Sequence, residues 1–567
     1  MFSLNSFRKQ LALPITSWQL CLLGMIGGFA SALLIILFTL SIEAIQQLYL
    51  VKKDNYNSLD QVSRFDLPII GALIILLFAW LTGYKYLRTG IPLVLHRLKV
   101  ANGVMPLKNT LNQFWGSAIA LATGFSVGRE GPAVHLGAAS STYIGNILKL
   151  PHNSMRTLCG CGVAAAIAAS FNTPIAAVIF VMEVILREYK IHMFIPIMLS
   201  AMIGSIMTRS VFGPVHEFEH FSQITMNYQH YPWLIVAGLF LGFIAFLFNR
   251  YLVLITKFSE KYHIISRLML AAFITGGLGY FIPFAMGTGL SAIDFSINHP
   301  YEFQLLFALL IAKLVMTVFA LGLGIPGGII GPILGIGSIA GAGIAAIVIL
   351  FVPDANLSSD FILMGMAGFM AATLNAPLAA LLAIVELSNQ IEIVVPAMIV
   401  IAVACVTSGQ FFKSKSIFVM QANILGLTYR QTPIEKSLQK VGVIGFLNEN
   451  ITLIENDLTA NEQYIKSAFI AAKPDHPIII KNTDGNSHYQ LITGPVILNN
   501  EQSLESLQLI KHQLFPLSSQ ATLSEAYNAL VAHRVGGVYI YDIDPKDILG
   551  IITFEQIRAY LVEGKFS

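Results

Sequence analysis

The residues best suited to chemistry lie in a short glycine-rich segment, residues 128–132, with the sequence Gly-Arg-Glu-Gly-Pro. Residues 328–332, Gly-Ile-Ile-Gly-Pro, repeat its pattern in the second half of the chain. Each segment is expected to open a helix whose first turn leaves backbone N–H groups free. A helix N-terminus carries a charge of roughly +0.5, so several that point at one place form an anion site without a full cation. Partial charges also let the ion leave, as conduction requires.

Two further features of the sequence fit such a site. Residues 89–92, Thr-Gly-Ile-Pro, form a third turn of this kind, with a hydroxyl able to donate to an anion. Glu130 adds a carboxylate, which costs about 2.5–3.5 kcal/mol at the bilayer centre and is therefore functional by default. Ionised Glu130 would occupy an adjacent anion site and block it, and protonation would release it. The alternative is that Glu130 is simply paired with Arg129.

The elements that position these residues are predicted to be membrane-spanning helices. Of the 567 residues, 55% are hydrophobic and 11% are charged, whereas soluble domains average about 25% charged. The net charge of +3 gives no indication of nucleic-acid binding. Apolar stretches lie near residues 18–45, 67–84, 113–127, 155–186, 193–208, 233–256, 266–285, 303–323, 329–352, 361–387 and 392–412. Many are interrupted by Gly or Pro, and broken helices survive at membrane depth only inside protein or beside a cavity.

An internal repeat relates the two halves of this region. Residues 162–177 match residues 365–380 at half of their positions, including an Asn-x-Pro sequence in each. Glu183 and Glu386 fall in the same register after these segments. Paired interrupted helices are typical of transporters built from repeats, with the binding site where the repeats meet. The alternative is a chance similarity between helices rich in small residues.

The motifs together resemble the CLC family of chloride channels and chloride/proton antiporters. Residues 128–132 match the family's GREGP motif residue for residue, residues 89–92 resemble its GSGIP loop, and residues 328–332 resemble its GxFxP loop. The resemblance covers about residues 15–425 in the correct order. It implies an all-α membrane fold of two inverted-topology repeats with broken helices. It also implies a homodimer with one anion pathway per subunit.

The resemblance assigns roles to individual residues. Glu130 takes the position of the gating glutamate, and Lys313 resembles a basic residue of the inner vestibule. Phe418 aligns with the inner-gate tyrosine but lacks its hydroxyl, so it could narrow the pore without donating a hydrogen bond. The anion-binding residues that the motifs imply are Thr89, Gly90, Ile91, Arg129, Gly131, Ile329, Ile330 and Phe418.

Val184 is the main departure from the family pattern. Proton-coupled members carry an inner glutamate ten residues after the proline of the Asn-x-Pro segment, and Val184 stands there. Valine cannot bind a proton, so the pattern favours passive or gated chloride transport. The alternative is a chloride/proton antiporter that uses Glu130 with a non-standard inner path through the adjacent Glu183 or through water.

The chain becomes more polar after about residue 413, and residues 426–567 are expected to form a cytosolic α/β tail behind a transmembrane domain of residues 1–425. The tail resembles a pair of CBS domains, degenerate over about 435–500 and clear over about 505–565. Such pairs often bind adenine nucleotides. Here Glu555 stands where an aspartate is usual, which argues against a nucleotide, and no other cofactor is expected.

Other classes of protein fit the sequence less well. No Ser/His, paired Asp or HExxH set is placed as a membrane-embedded enzyme or a metal site would need. The basic pair Arg8 and Lys9 precedes an uncleaved first span, so both ends are expected in the cytoplasm. The expected partners are chloride, membrane lipid and a second copy of the chain, in a bacterial inner membrane.

Overall fold

The computed structural model divides into two compact units. The larger unit comprises Leu20–Gly145 and Arg156–Tyr429, and the smaller comprises Met1–Gln19, Asn146–Met155 and Arg430–Ser567. The last of these segments begins close to the boundary predicted at residue 425, whereas the grouping of the other two with the tail was not expected. The structure describes residues 4–87, 89–213, 221, 226, 228–352, 357–427, 432–456, 462–471, 476–482, 488–494, 509–533 and 535–563.

Helices make up nearly all of the described structure before residue 428. Those before residue 213 are α1 (Leu4–Ala12), α2 (Trp18–Gln46), α3 (Gln61–Thr82), α4 (Gly90–Val100), α5 (Leu107–Ala122), α6 (Glu130–Ile147), α7 (His152–Phe171), α8 (Pro174–Phe180) and α9 (Ile191–Phe212). Those after residue 228 are α10 (Tyr231–Ser259), α11 (Ile264–Phe281), α12 (Leu290–Asn298), α13 (Phe303–Leu323), α14 (Ile330–Val348), α15 (Leu357–Leu374), α16 (Pro377–Ser388), α17 (Val394–Val406) and α18 (Ile417–Ile424). Among the described residues, ten helical segments are long and apolar enough to cross a membrane. The predicted helical membrane fold is confirmed.

Two of the predicted spans are broken at the same place in each repeat. The span near 155–186 is α7 followed by α8, and the span near 361–387 is α15 followed by α16. Asn172 and Asn375 end the first helix of each pair in the left-handed conformation, with φ of 57° and 53°. Asparagine adopts this conformation more readily than most residues. A proline then starts the next helix, where its missing N–H costs nothing.

The two repeats hold each other through a reciprocal pair of carboxylates. Glu183, just after α8, accepts hydrogen bonds from the backbone N–H groups of Leu378 and Ala379 at 3.3 and 2.7 Å. Glu386, in α16, does the same for the first turn of α8 at 3.0 and 2.7 Å. The first N–H groups of a helix have no partner within it, and bonds to a carboxylate are stronger than neutral ones. Glu183 and Glu386 therefore tie the broken helices of one repeat to those of the other.

In each repeat, close glycine contacts hold the helix that begins at the motif against the next long helix of that repeat. A Cβ atom at Gly162 of α7 would lie 2.1 Å from the carbonyl oxygen of Gly137 of α6. In the second repeat, a Cβ at Gly365 of α15 would lie 2.2 Å from the carbonyl oxygen of Gly337 of α14. The backbones touch, so only glycine fits. The most hydrophobic windows of α7 and α15 are 89% and 94% buried, against 33% for α3, which makes these two helices the core.

The span predicted near 113–127 differs from the structure. It is α5, a helix of 16 residues that starts earlier and ends at Ala122. Gly124 follows with φ of 83°, a conformation that stops the helix before the motif at residue 128. Although α5 is shorter than the roughly 20 residues that a spanning helix needs, much of it is buried in protein.

The smaller unit contains an α/β tail, as predicted. Its described helices are α19 (Pro433–Leu438), α20 (Glu462–Ala471), α21 (Leu523–His533) and α22 (Phe554–Glu563). Its described strands are β1 (Thr452–Asn456), β2 (Ile478–Asn482), β3 (His488–Thr493), β4 (Ile510–Ser518), β5 (Gly537–Tyr541) and β6 (Ile548–Thr553), which form one sheet in that order. The β1–β2 and β4–β5 pairs are parallel and the other neighbours are antiparallel. The CBS-like assignment and any nucleotide stay predictions.

Candidate anion pathway

The two glycine-proline motifs are joined directly through their backbones. The N–H of Gly128 donates to the carbonyl of Gly328 at 2.7 Å, and the N–H of Gly328 donates to the carbonyl of Gly128 at 2.6 Å. This pair is an isolated antiparallel bridge between the repeats. Because α6 begins at Glu130 and α14 begins at Ile330, the bridge fixes two helix N-termini side by side.

The side chain of Glu130 fills the space between these two helix starts. A Cβ atom at Gly128 would lie 2.1 Å from its Oε2, one at Gly328 would lie 2.5 Å from Oε2, and one at Gly331 would lie 3.2 Å from Oε1. The carboxylate faces the backbone N–H groups of Ile330 and Gly331, and the residue is 1% exposed. A buried carboxyl group thus lies in the place where the motifs predict an anion.

A cavity of about 460 Å³ lies on one side of the bridge. It is called the Thr89 cavity here because Thr89 lines it. Several residues that the motifs implied as anion-binding share its wall: Thr89, Gly90, Ile91, Gly131, Ile329 and Phe418. The structure therefore brings all three predicted motif loops, and α18, to one water-accessible space.

A second cavity of about 140 Å³ lies on the other side of Glu130. It is called the Asp54 cavity, and its wall includes Asp54, Arg129, Glu130, Thr288 and Gly331. Glu130 belongs to this wall, and its neighbour in the chain, Gly131, belongs to that of the Thr89 cavity. The walls of the two cavities therefore come within one residue of each other at the start of α6.

A third, small cavity of about 40 Å³ adjoins Glu130 on its apolar side. Its wall includes Ile330, Phe171 and Ala379. Ile330, which was predicted to bind the anion, therefore contacts this space and the Glu130 carboxylate but does not line the Thr89 cavity.

Thr89 and Phe418 both have geometry that suits the predicted roles. Thr89 is the N-cap residue of α4, yet among the described residues its side chain accepts no capping hydrogen bond. The hydroxyl is thus not committed to the helix and borders the cavity. Phe418 lies in the first turn of α18 and is 3% exposed, so its ring can narrow the cavity.

Arg129 lies on the other side of Glu130 from the Thr89 cavity. Its guanidinium lies over the ring of Phe171, 4.7 Å from the ring centroid. Such a cation–π contact is worth about 2 kcal/mol where water is excluded. Arg129 thus supplies positive charge to the Asp54 cavity, next to the Glu130 carboxyl group.

Lys313 is not where the sequence placed it. The side chain is 0% exposed and does not line the Thr89 cavity. Its Nζ donates to the backbone carbonyls of Ala285 and Gly287 at 3.0 and 2.8 Å. The correction has a physical reason, because a buried ammonium must satisfy its three donors and the turn before α12 offers carbonyls at the right distance.

Two basic residues among the described ones that line the Thr89 cavity were missed. They are Lys85 and Arg267, and the latter also donates from Nε to the carbonyl of Leu323 at 3.1 Å. The sequence did contain a signal for Arg267, which is a charged residue inside the apolar stretch predicted near 266–285. Charged residues within membrane-spanning segments mark ion pathways by default.

The inner proton-relay position is apolar in the structure as in the sequence. Val184 is 3% exposed and lies in a π-helical turn, Val181–Leu186, that continues α8. The adjacent Glu183 uses both carboxylate oxygens on the first turn of α16. Its geometry is that of a helix cap.

Comparison with known proteins agrees with the fold and the motifs. The family model described as voltage gated chloride channel matches residues 70–409. The chain belongs to this family, the CLC family. It is a multi-pass integral membrane protein, with ten candidate spans among its described residues.

Curated relatives include transporters and a putative channel. The H(+)/Cl(-) exchange transporter ClcA of Vibrio cholerae serotype O1 is 29% identical over 331 residues, which cover 56% of this chain and 68% of that protein. A putative chloride channel protein ClcB-like of Ralstonia nicotianae is 29% identical over 365 residues, covering 61% of this chain and 81% of that protein.

Solved structures share the fold. A slow cyanobacterial Cl-/H+ antiporter gives a TM-score of 0.64 at 20% identity, covering 72% of this chain and 98% of that one. A CLC-type fluoride/proton antiporter gives 0.59 at 22% identity, covering 71% and 97%. A eukaryotic CLC transporter gives 0.59 at 17% identity and covers 95% of this CLC chain, tail included, and 97% of its own.

The bridge between the motifs leads to a first prediction. In Gly328→Ala, the new methyl group would lie 2.5 Å from both the Glu130 Oε2 and the Gly131 nitrogen. Overpacking of this kind costs about 1–3 kcal/mol, so we expect chloride efflux from proteoliposomes to fall about tenfold or more. Gly343→Ala, on the same helix α14, is the matched control, because a Cβ there has nothing within 4 Å. Equal efflux in the two variants would contradict this account of the bridge.

Proposed function

We propose that this protein exchanges chloride for protons across the membrane, with Glu130 as the group that both blocks the anion path and carries the proton. The observation that carries the proposal is the position of the Glu130 carboxyl group against two helix starts, on the wall of the Asp54 cavity and one residue from the wall of the Thr89 cavity. Relatives at 29% identity named H(+)/Cl(-) exchange transporters support it.

The proposed cycle follows from competition for one site. Ionised Glu130 occupies the space beside the N–H groups of Ile330 and Gly331, where an anion would otherwise be bound by helix N-termini. Protonation removes the charge that holds the carboxylate there, so the side chain leaves and chloride takes its place. Chloride then shares the Thr89 cavity with the hydroxyl of Thr89. Each proton bound by Glu130 thereby opens the path for chloride.

The inner route of the proton is proposed to run through water, because Val184 has no proton-binding group. The 40 Å³ cavity beside Glu130 has the volume for one water, for which about 10–15 Å³ suffices. Glu130 and Thr173 are the polar side chains among the residues that line it, so we propose that water enters this space transiently and is not held there permanently. Its wall includes Ala379, whose N–H donates to Glu183. In this proposal Glu183 lies beside the route and holds the broken helices in place, whereas water carries the proton.

Passive, gated chloride conduction is the second candidate. It was the interpretation that the sequence favoured, and the specific observation behind it is the buried Val184 in place of an inner glutamate. The putative chloride channel relative is consistent with it. The two candidates differ in one measurable quantity, which is proton movement driven by a chloride gradient.

Coupled flux from proteoliposomes tests the proposal. Under a chloride gradient with no pH gradient, we expect the wild-type protein to drive protons in the direction opposite to chloride. Glu130→Gln, which cannot release a proton, is expected to keep chloride transport and lose proton movement. Glu392→Gln, the same change at an exposed turn, is the control and should behave as wild type. If the wild-type protein transports chloride without moving protons, the exchange proposal is rejected in favour of passive conduction.

The orientation is also a proposal, namely a bacterial inner membrane with the tail in the cytoplasm. The basic Arg8 and Lys9 support it, because they belong to the unit that contains the tail. Helix α2 has 29 residues and is about 43 Å long at 1.5 Å per residue, so it crosses the bilayer. The connection after α2, which contains Asp54, then faces the outside.

The chain is proposed to work as a homodimer. Glu183 and Glu386 are only half-buried at membrane depth, and a carboxylate exposed to lipid is costly. Helix α9 presents Met198, Met202 and Ile206 four residues apart, 45%, 45% and 57% exposed. A second copy that covers these surfaces would remove both carboxylates from lipid.

Native mass spectrometry in mild detergent tests the dimer. We expect a mass twice the 61.9 kDa of one chain, and the double variant Met202→Trp/Ile206→Trp should release the single chain because the added rings clash across the interface. Ile311→Trp on α13, at a position 47% exposed, is the control and should remain dimeric. A wild-type mass of one chain would refute this assembly.

A further inference from the structure

Asp54 is a buried carboxylate that the account so far does not use. It lies in the connection between α2 and α3, is 3% exposed, and adopts a left-handed backbone with φ of 56°. Its Oδ2 accepts hydrogen bonds from the Thr288 hydroxyl at 2.6 Å and from the Thr288 backbone N–H at 3.0 Å. Its own carbonyl accepts from the Ser291 hydroxyl at 2.6 Å. The strained backbone and these bonds fix the carboxylate in one place.

The turn that Asp54 holds lies directly on the start of α14. A Cβ atom at Gly331 would lie 2.8 Å from the carbonyl oxygen of Thr288, and one at Gly289 would lie 2.7 Å from that of Gly331. Gly331 is also one of the glycines against which the Glu130 carboxylate lies. Asp54 is thus linked to Glu130 through two intervening residues, Thr288 and Gly331.

Asp54 and Glu130 line the same cavity. Its volume of about 140 Å³ has room for several waters, which can connect the two carboxylates. Charged or titratable groups that line this cavity or act on Asp54 through their charge are Glu43, Tyr49, Lys53, Tyr56, Arg129, Glu130 and Lys313.

The surroundings of Asp54 allow it to bind a proton at mildly acidic pH. Burial raises the pKa of Asp54 to about 6, and the hydrogen bonds from Thr288 and the positive charges of Lys313 and Arg129 oppose this increase. Asp54 is therefore ionised at neutral pH and becomes protonated as the pH on its side falls through about 6.

We propose that Asp54 is a second proton-carrying carboxylate of this pathway, which passes protons between the water of the outer side and Glu130. In the inward direction, a hydronium ion protonates an Asp54 oxygen, and the Asp54 O–H bond then breaks as a water chain delivers a proton to a Glu130 oxygen. Asp54 returns to its ionised form, and no other species is consumed. This inference rests on the proposed exchange of chloride for protons.

An anion-binding role for Asp54 is disfavoured by charge, and a purely structural role makes a different prediction. A carboxylate repels chloride, so it cannot serve the anion. If Asp54 acted only by holding the Thr288 turn over α14, its replacement would disturb chloride as much as protons. Separating the two ions therefore tests the proposal.

The experiment uses the full chain in proteoliposomes, with chloride and proton fluxes recorded together while the external pH is stepped across the range around 6. Asp54→Asn keeps an oxygen for Thr288 and removes the proton site. We expect its proton flux to fall about tenfold or more. A positioned acid–base group typically contributes about 10²–10⁴-fold, and the loss here is expected to be smaller because water can partly replace the carboxylate. In the Glu130→Gln background, adding Asp54→Asn is expected to change chloride flux much less than Asp54→Asn lowers proton flux in the wild-type background, because the space between the paired glycines is left intact.

Two further variants keep the result interpretable if Asp54→Asn folds poorly. Thr288→Val removes the hydroxyl bond but keeps the carboxylate, so it should retain most proton flux. Asp54→Glu restores a carboxylate and should recover proton flux with a shifted dependence on external pH. Unchanged proton flux in Asp54→Asn, or an equal loss of chloride flux in the Glu130→Gln background, would overturn the proposal while leaving chloride/proton exchange intact. A wild-type protein that moves chloride without protons would instead overturn the exchange, and this inference with it.

Discussion

Two hydrogen bonds between Gly128 and Gly328 are the constraint on which the rest of the site depends. They join the repeats at the point where α6 and α14 begin. Because each helix start carries partial positive charge, the bridge concentrates two of them in one place without a cation. Glycine is required, since a Cβ at Gly128 or Gly328 would lie 2.9 or 2.5 Å from a backbone nitrogen of the opposite motif and would also meet the Glu130 carboxyl group. In the proposed function, the same bridge therefore forms the anion site and determines how the Glu130 carboxyl group fits into it.

The remaining framework keeps this bridge in register. Glu183 and Glu386 exchange caps between the broken helices of the two repeats, and glycine contacts lock α6 to α7 and α14 to α15. Both devices occur once in each repeat, so the bridge is supported equally from its two sides. Exposure of the half-buried Glu183 and Glu386 carboxylates to lipid would cost free energy. Burial of these carboxylates against a second copy of the chain would reduce that cost.

The sequence predicted those features that local backbone chemistry determines. Glycine and proline spacing located the starts of α4, α6 and α14, and the Asn-x-Pro repeats located the helix breaks. Glu130 and Thr89 were proposed from the same motifs, and Phe418 from its position in the family resemblance. The structure places Thr89 and Phe418 on the wall of the Thr89 cavity and Glu130 on that of the Asp54 cavity. These features depend on a few adjacent residues, which is why one sequence is enough to identify them.

Features that depend on distant contacts were missed or misplaced. Lys313 was assigned to a vestibule, but its ammonium is buried among carbonyls before α12. Asp54 gave no signal, because its partner Thr288 lies 234 positions away, and the register of Glu183 was noticed without its capping role, whose partner lies 196 positions away. The grouping of residues 146–155 with the tail likewise depends on tertiary packing.

The most direct test of the central claim is an anomalous-scattering measurement on crystals of the Glu130→Gln variant grown in bromide. The account predicts a bromide peak in the space between Gly128, Gly328 and Gly331 that the Glu130 carboxylate fills in the wild type. It also predicts the loss of that peak when Glu130 is restored at neutral pH. Bromide bound in the Thr89 cavity, with none between the paired glycines in the variant, would contradict the claim that Glu130 and the anion compete for one site.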